Sequence, residues 1–402
     1  MRLLFISWWW PYPADNGSKI RAYNLLRGLA AHHEIHLLSF ADDGDATPER
    51  IAHLQTFCAH VEAVTKPAFN PGSVKAALGY LSRWPRSLVD VYSPPMAERV
   101  QARAAAADLI IASELQTMRY LELAPSLPAI LEEIEITQFE NAVVQASSPA
   151  RRFRARLTLS KMQQAVRTLM RRGVAITVAS DGERDYFERI APPGARIMVI
   201  PNGVDTHANR PGSASPISNT LIYPGAVTYD ANYDAVRYFI QDVFPLVRQR
   251  IPDAQLTVTG GTGSVDVRDL AAQPGVTFTG YLPDVAPAIR ASWAVVVPLR
   301  KGGGTRLKIL EAMALGTPVV ATHKGAEGLN VKHGDNILLA DEPEEIAQAV
   351  VRLFSDAALR GRLSQGGRAL VEREYDWQTI AERLNSLIEE VADKRQEVMA
   401  IR

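Results

Sequence analysis

The chain has a single cysteine, Cys58, so no internal disulfide can form, and the composition suits a reducing compartment. Cys58 is expected to be a small buried apolar side chain. No apolar run approaches the ~20 residues that a membrane-spanning helix needs. The stretch from Arg2 to Trp10 is too short for a signal h-region with its flanks and soon meets Pro11 and Pro13. It reads as a buried first strand, and cytoplasmic location is the expectation. An excess of one charge is also missing: 44 Lys and Arg balance 44 Asp and Glu. No bulk field therefore draws in nucleic acid or membrane, although local patches can; no nucleic-acid partner is expected. The eight histidines show no zinc-like spacing beyond the adjacent His32 and His33. No phosphate loop ending in Gly-Lys-Ser/Thr occurs, and Gly261-Thr262-Gly263 has Asp266 where a dinucleotide fingerprint needs its last glycine. Asp43-Gly44-Asp45 imitates a metal-binding Asp-x-Asp, but it lies in a polar loop before Pro48 and reads as solvated. Neither a metal nor a cofactor is expected.

What the chain does carry is concentrated between Gly302 and Val320. Gly302, Gly303 and Gly304 follow an apolar strand, Trp293 to Leu299, and let backbone amides approach a ligand closely. A helix is expected to open at about Thr305, offering unpaired N–H groups and a positive dipole to an anion. Lys308 and Glu311 are three residues apart and share a face of that helix. A cation there can meet a phosphate, and a carboxylate one turn on can accept hydrogen bonds from sugar hydroxyls. Gly316-Thr317-Pro318 ends the helix and Val319-Val320-Ala321 starts the next strand. The plainer alternative is an ordinary βαβ unit with a surface Lys–Glu pair.

Strands and helices alternate throughout, the pattern of parallel α/β sheets. At 402 residues the chain exceeds the size at which one core usually divides. Strand candidates are Leu3–Ser7, Ile35–Phe40, Val61–Thr65, Leu109–Ala112, Ala129–Glu133, Ala175–Ala179 and Ile197–Ile200, with a helix such as Lys19–His32 between them. A Pro/Gly/Ser-rich segment from Ala208 to Pro216 has no periodicity. The pattern then restarts at Thr220–Gly225, Gln255–Thr259, Val276–Thr279, Trp293–Leu299, Pro318–Thr322 and Asn336–Leu339. The expected division is a first domain over 1–207, a linker over 208–219, a second domain over 220–376, and a final amphipathic helix from Trp377 onward, over 377–402.

The Gly302–Val320 segment resembles the donor-site signature of the family-4 retaining glycosyltransferases. That resemblance covers nearly the whole chain. It implies the GT-B fold, two Rossmann-like α/β domains with parallel sheets facing across a cleft. It also implies a nucleotide-sugar site in the second domain, an acceptor site in the first, and a last helix returning to the first domain. Glu311 matches the second of two family glutamates, which binds the nucleotide ribose; the first falls at Gly303. Gly303, Gly304, Thr305, Arg306, Lys308 and Glu311 are thus the implied donor-binding residues, with Arg306 and Lys308 also stabilising the leaving diphosphate. Lys308 points into the helix mouth with Glu311, while the helical angle of Arg306 could turn it toward solvent. Asn16 and Gly17 stand where the family has a glycine-rich loop near the donor, and their turn chemistry allows positive φ. There the alternative is a tight βα turn with Arg21 solvated. Gly225 matches a family glycine after the first strand of the second domain, with no basic residue near it before Arg237. Leu282, within Gly280–Asp284, matches a loop that contacts the nucleobase. Asn202-Gly203 resembles the inter-domain hinge and reads as structural.

The implied reaction moves a sugar from a UDP- or GDP-linked donor to a sugar, lipid-linked or small-molecule acceptor, with retention and without metal, in polysaccharide or glycolipid assembly. Two other readings stand beside it: a nucleotide-sugar epimerase on the same fold, and a non-catalytic sugar-nucleotide-binding protein. Ser113 falls where the family often has a histidine. Glu114 is the neighbouring candidate for orienting an acceptor hydroxyl, or else an exposed strand-end carboxylate. Glu132, Glu133, Glu135 and Glu140 form a second acidic group, with 133 and 135 expected on one strand face. Trp8-Trp9-Trp10 either lines the acceptor cleft or packs the inter-domain face. Finally, residues 151–172 hold seven arginines and a lysine with no acid. Ala155, Leu159, Met162, Val166 and Leu169 recur at helical spacing there. This basic amphipathic helix either touches anionic lipid at the membrane periphery or packs by its stripe and is solvated on its charged face.

Overall fold

A computed structural model describes residues 1–213, 215–302 and 306–400, the side chains of 394–400 aside. The chain forms two compact units that divide at Pro201 and Asn202, with the helical segment from Ile380 onward belonging to the first unit.

In the first unit seven strands form one parallel sheet: β1 (Arg2–Ser7), β2 (Glu34–Ala41), β3 (His60–Thr65), β4 (Leu109–Ser113), β5 (Ala129–Glu132), β6 (Ala175–Val178) and β7 (Ile197–Val199). Their order is β3-β2-β1-β4-β5-β6-β7. Leu3, Leu4, Phe5 and Ile6 are wholly buried. Helices cover both faces of such a sheet, so its central strands read as unbroken apolar runs rather than alternating ones. The order reverses between β1 and β4, whose ends Ser7 and Ser113 lie in register. A parallel sheet opens a crevice beyond its carboxyl edge at such a reversal. Trp8 and Glu114 are the next residues of the two strands.

The helix Gly17–Leu29 follows β1, two residues earlier than expected. Asn16 and Gly17 do not take positive φ: Asn16 is extended at φ −146°, and its side chain accepts a hydrogen bond from Lys19 N at 3.1 Å. The turn chemistry read from Asn-Gly is helix capping instead. The last helix, Trp377–Ala400, buries Ile380, Ala381, Leu384, Leu387 and Ile388. Its approach to Gly28 is so close that a Cβ there would lie 2.3 Å from that of Ala381.

The second unit is a six-stranded parallel sheet of β8 (Ile217–Pro224), β9 (Gln255–Thr259), β10 (Val276–Gly280), β11 (Ser292–Val297), β12 (Val319–Ala321) and β13 (Leu338–Leu339). The order is β10-β9-β8-β11-β12-β13, reversing between β8 and β11. Strand β8 begins inside the segment expected as linker. Ile217 N donates to Ala291 O at 2.8 Å, although the Ile217 side chain is exposed and the next three residues are polar. Backbone pairing defines this strand where side-chain pattern does not. The segment Val204–Thr206 is bound to the start of the last helix: Val204 N donates to Tyr375 O at 2.8 Å and Thr206 N to Asp376 Oδ2 at 3.1 Å.

Candidate functional site

Each unit carries its own cluster of chemistry at the switch point of its sheet. In the second unit the helix after β11 spans Leu307–Ala314, with no side-chain cap at its N-terminus. The first-turn N–H groups are therefore left for the loop or a ligand. Gly303, Gly304 and Thr305 lie outside the described residues.

Lys308 is not part of a surface Lys–Glu pair. Its Nζ donates to Tyr223 Oη at 3.0 Å and Asn232 Oδ1 at 2.9 Å, and lies 4.3 Å from the centre of the Tyr223 ring. Tyr223 Oη donates to the same Asn232 oxygen at 2.7 Å. The ammonium thus sits at the end of β8, beside Gly225, where a Cβ would come within 2.8 Å of Nζ. This is the cation that the Gly225 loop lacks in its own sequence. Burial pulls the Lys308 pKa down to about 7; repulsion from Arg306 adds to this and attraction to Glu311 opposes it. Burial likewise raises the Tyr223 phenol, which stays protonated.

Arg306 does not turn toward solvent. It is buried, and its Nη2 donates to the carbonyls of Gly302 at 3.1 Å and Lys324 at 3.2 Å, with Glu327 at 3.6 Å. It fixes the loop on both sides of the helix start. Glu311 is half-buried, and among the described residues no side chain hydrogen-bonds its carboxylate. Burial raises its pKa, Lys308 counters, and the charge of Asp284 adds to the rise. Asp284 belongs to the loop with Leu282, itself half-buried. Lys308, Glu311, Gly225 and the Leu282 loop are therefore neighbours, and Arg306 braces them.

In the first unit the sheet crevice holds a cavity of about 380 Å³. Glu114, Glu133 and Glu135 line it together with Ser18 and Gln138, against apolar walls that include Trp8, Leu88 and Phe139. Trp8 stands in the wall with its ring edge-on to Phe40, 4.9 Å between centres. Glu114 is not an exposed strand-end carboxylate. It takes a left-handed φ of 72°, and burial pushes its pKa up to about 7, against hydrogen bonds from Ser18 and Trp9 and with repulsion from Glu132. Glu133 is also left-handed, at φ 55°. Strand β5 ends at Glu132, so Glu133 and Glu135 face the cavity from the loop beyond it and not from a strand face. Burial raises the Glu133 pKa well above the carboxylate range, opposed by Arg21.

Arg21 is buried, not solvated. Its Nε donates to Glu132 Oε1 at 2.8 Å and its Nη2 to the Ile200 carbonyl at 2.8 Å, while Glu133 lies 3.5 Å away. Ser113 Oγ donates to the other Glu132 oxygen at 2.8 Å. The position where the family often has histidine is thus a strut within this network. Asn16 and Gly17 are exposed beside it. Among the described residues no group of His, Cys, Asp or Glu could hold a metal ion, and Asp45 is paired with Lys19 and Arg50. The sequence reading missed Tyr223, Asn232 and the structural role of Arg21. Tyr223 lies within β8, and Asn232 and Arg21 lie within helices, so no local pattern marked them.

Comparison with known proteins identifies the architecture. The description "Glycosyl transferase 4-like domain" matches residues 16–203, and "Glycosyl transferases group 1" matches residues 218–356, together most of the chain. The phosphatidyl-myo-inositol mannosyltransferase of Mycobacterium tuberculosis is 28% identical over 249 residues, a match covering 59% of this chain and 65% of that protein. Sucrose-phosphate synthase from Thermosynechococcus elongatus superposes with a TM-score of 0.69 at 18% identity, covering 97% of this chain and 99% of that one. Anabaena HepE, solved in complex with UDP, superposes with a TM-score of 0.67 at 17% identity, covering 97% and 100%. The structural likenesses give the fold, GT-B with two Rossmann-like units. With both halves matched in sequence as well, the chain belongs to the family-4 glycosyltransferases.

Proposed function

We propose that this protein is a retaining, metal-independent hexosyltransferase. It takes a UDP- or GDP-linked sugar as substrate, uses no cofactor, and passes the sugar to a sugar or lipid-linked acceptor in the assembly of a glycolipid or polysaccharide. The observation that carries the reading is the Lys308 ammonium held beside Gly225, one turn before Glu311. The diphosphate lies against Lys308 and the helix amides, and Glu311 accepts hydrogen bonds from the ribose. Leu282 and its loop flank the base, and Arg306 fixes the glycine loop from behind. UDP in the HepE complex and the lipid acceptor named for the mycobacterial relative support this substrate class.

In the transfer step the bond from the anomeric carbon to the phosphate oxygen breaks as a bond to the acceptor oxygen forms on the same face. The acceptor proton passes to the departing phosphate. Negative charge grows on the diphosphate, and a fixed cation there stabilises the transition state more than the ground state. An approaching diphosphate raises the Lys308 pKa, so the site gains its full charge with the ligand. Glu114 orients the acceptor hydroxyl. Gly303 leaves the donor sugar without the first family glutamate. An epimerase on this fold is disfavoured by the family match. The test is a donor-hydrolysis and transfer screen over UDP-, GDP-, ADP- and TDP-sugars, run with and without EDTA, with the anomer of the product read by NMR. Retained configuration and turnover that survives EDTA are expected. Inverted product, or turnover lost to EDTA and restored by magnesium or manganese, overturns the proposal.

A further inference from the structure

Asparagine is a weak helix former, because its side chain competes for backbone groups. Asn232 nevertheless lies in the first turn of the helix Asp230–Tyr238, and it does not cap that helix: the cap position is Tyr229, which makes no side-chain hydrogen bond. Both ends of the Asn232 amide are engaged elsewhere. Its Nδ2 donates to the Ala226 carbonyl at 2.9 Å. Its Oδ1 accepts from Lys308 Nζ at 2.9 Å and from Tyr223 Oη at 2.7 Å. The reverse rotation of the amide would set an NH2 group against an ammonium, so the network admits one orientation. The phenol fits the same scheme. Its single proton goes to Oδ1, and its oxygen accepts from Nζ at 3.0 Å.

An ammonium carries three N–H donors. Two of those on Lys308 meet these oxygens, and among the described residues the third has no acceptor. Gly225 borders the same spot. A Cβ there would lie 2.8 Å from Nζ, 3.1 Å from Asn232 Nδ2 and 3.3 Å from Tyr223 Cε1, so the missing side chain leaves space against all three groups. A lysine removed from water ordinarily pairs with a carboxylate. Here both acceptors are neutral, and Glu311 attracts the charge without a hydrogen bond among the described residues. The lysine is therefore held in place while its charge stays uncancelled.

We propose that Asn232 and Tyr223 are positioning residues for the transfer step: they hold Lys308 Nζ through neutral oxygens, so that its remaining N–H meets one oxygen of the donor diphosphate in the space at Gly225. This assignment rests on the transferase reading of the site. Neither residue touches the substrate; both act through the lysine. The Gly225 loop has no basic residue of its own before Arg237, and the pair fixes a cation from another element in that place. Holding it matters because a lysine side chain is long and flexible. A displacement of about 1 Å from the reacting geometry can cost ~100-fold in rate.

The experiment is a double-mutant cycle on the full chain. Rates are measured with whichever UDP-, GDP-, ADP- or TDP-sugar the wild type turns over fastest, and binding of the four free diphosphates by calorimetry. Asn232→Ala should lower kcat by ~10–100-fold, with KM changing less than kcat. Tyr223→Phe keeps the ring beside the ammonium and should lower kcat by ~2–10-fold, the worth of one hydrogen bond. In a Lys308→Met background both changes should be silent within about twofold, because residues that act through one group are not additive. A merely structural residue would lower the rate equally in either background. Asn232→Asp puts a carboxylate against Nζ and should weaken nucleotide binding at least ~10-fold. Melting curves confirm folding, and Tyr223→Phe carries the same cycle where Asn232→Ala does not fold. Full additivity with Lys308→Met, normal turnover by Asn232→Ala, or unchanged nucleotide affinity in Asn232→Asp overturns the assignment alone. A wild type that neither binds nor turns over any of the four nucleotides overturns the transferase reading and the assignment with it.

Discussion

Lys308→Met separates two consequences that ordinarily coincide. The lysine is enclosed by protein and meets only neutral partners, Tyr223 and Asn232, so the empty site disfavours its charge. Its folded pKa of about 7 lies below the ordinary 10.5. Between these values the unfolded chain binds more protons than the folded one, so this group's contribution to stability rises with pH across that window. At neutral pH the fold therefore carries a penalty of up to ~4 kcal/mol, at ~1.4 kcal/mol per pKa unit. Partial solvent access reduces that figure, and the two lost hydrogen bonds offset ~1 kcal/mol each. Asn232 Oδ1 is not orphaned by the change, because Tyr223 still donates to it at 2.7 Å. Methionine should thus stabilise the empty protein by about 1–2 kcal/mol at pH 7.5, raising its melting temperature by several degrees, and at ~1.4 kcal/mol per pH unit the gain should vanish near about pH 9 and reverse above it. The same change should lower kcat by ~100-fold or more, as for losing one preorganised donor at a developing charge. Lys308→Ala should lose the rate without the stability gain, since it leaves a void. Calorimetric melts at several pH values and steady-state kinetics decide the matter. A methionine variant that melts earlier than the wild type at pH 7.5, or turns over normally, would refute the reasoning.

Glu311→Ala should weaken nucleotide binding by ~1.5–3 kcal/mol, and isothermal calorimetry showing unchanged affinity in a folded variant would remove Glu311 from the ribose. For Glu114, kcat should rise as pH passes through about 7, because burial holds the group protonated below that point while the bound diphosphate keeps Lys308 charged; Glu114→Gln should flatten the profile, and an unaltered profile would assign the titration elsewhere. Arg21→Leu should destabilise the first unit by ~3–5 kcal/mol in urea titrations, since it leaves Glu132 buried without its cation; a loss below ~1 kcal/mol would mean that Ser113 and the surrounding backbone satisfy the carboxylate alone.

The thirteen strands of the described residues were legible within a few residues, because a parallel sheet covered on both faces writes itself as short apolar runs such as Leu3–Ile6 and Ala294–Val297. Strand β8 was cut short because Ile217 and Thr220 pair through their backbones while the side chains of Ser218, Asn219 and Thr220 carry no strand signal. The helix with Lys308 and Glu311 was visible because both residues lie on one turn. What surrounds them was not visible. Tyr223 and Asn232 are 85 and 76 residues from Lys308 in the chain, and Glu132 is 111 from Arg21. Burial of Glu114 and Arg21 is produced by such distant partners, so their local sequence, polar and flanked by turns, suggested solvent.

The return of the last helix makes the first unit discontinuous in the chain, whereas Asn202–Thr379 is a single stretch. During synthesis the second unit can therefore complete its core while the first still lacks the side chains that cover Gly28. Until Ile380 to Ile388 have left the ribosome, the groove beside Gly28 is an uncovered apolar surface, so part of the first unit is sealed after the second. Domains ordinarily fold from the N-terminus onward; here the order of completion is reversed. That makes the docking of the helix Trp377–Ala400 the step at which a chaperone has most to protect.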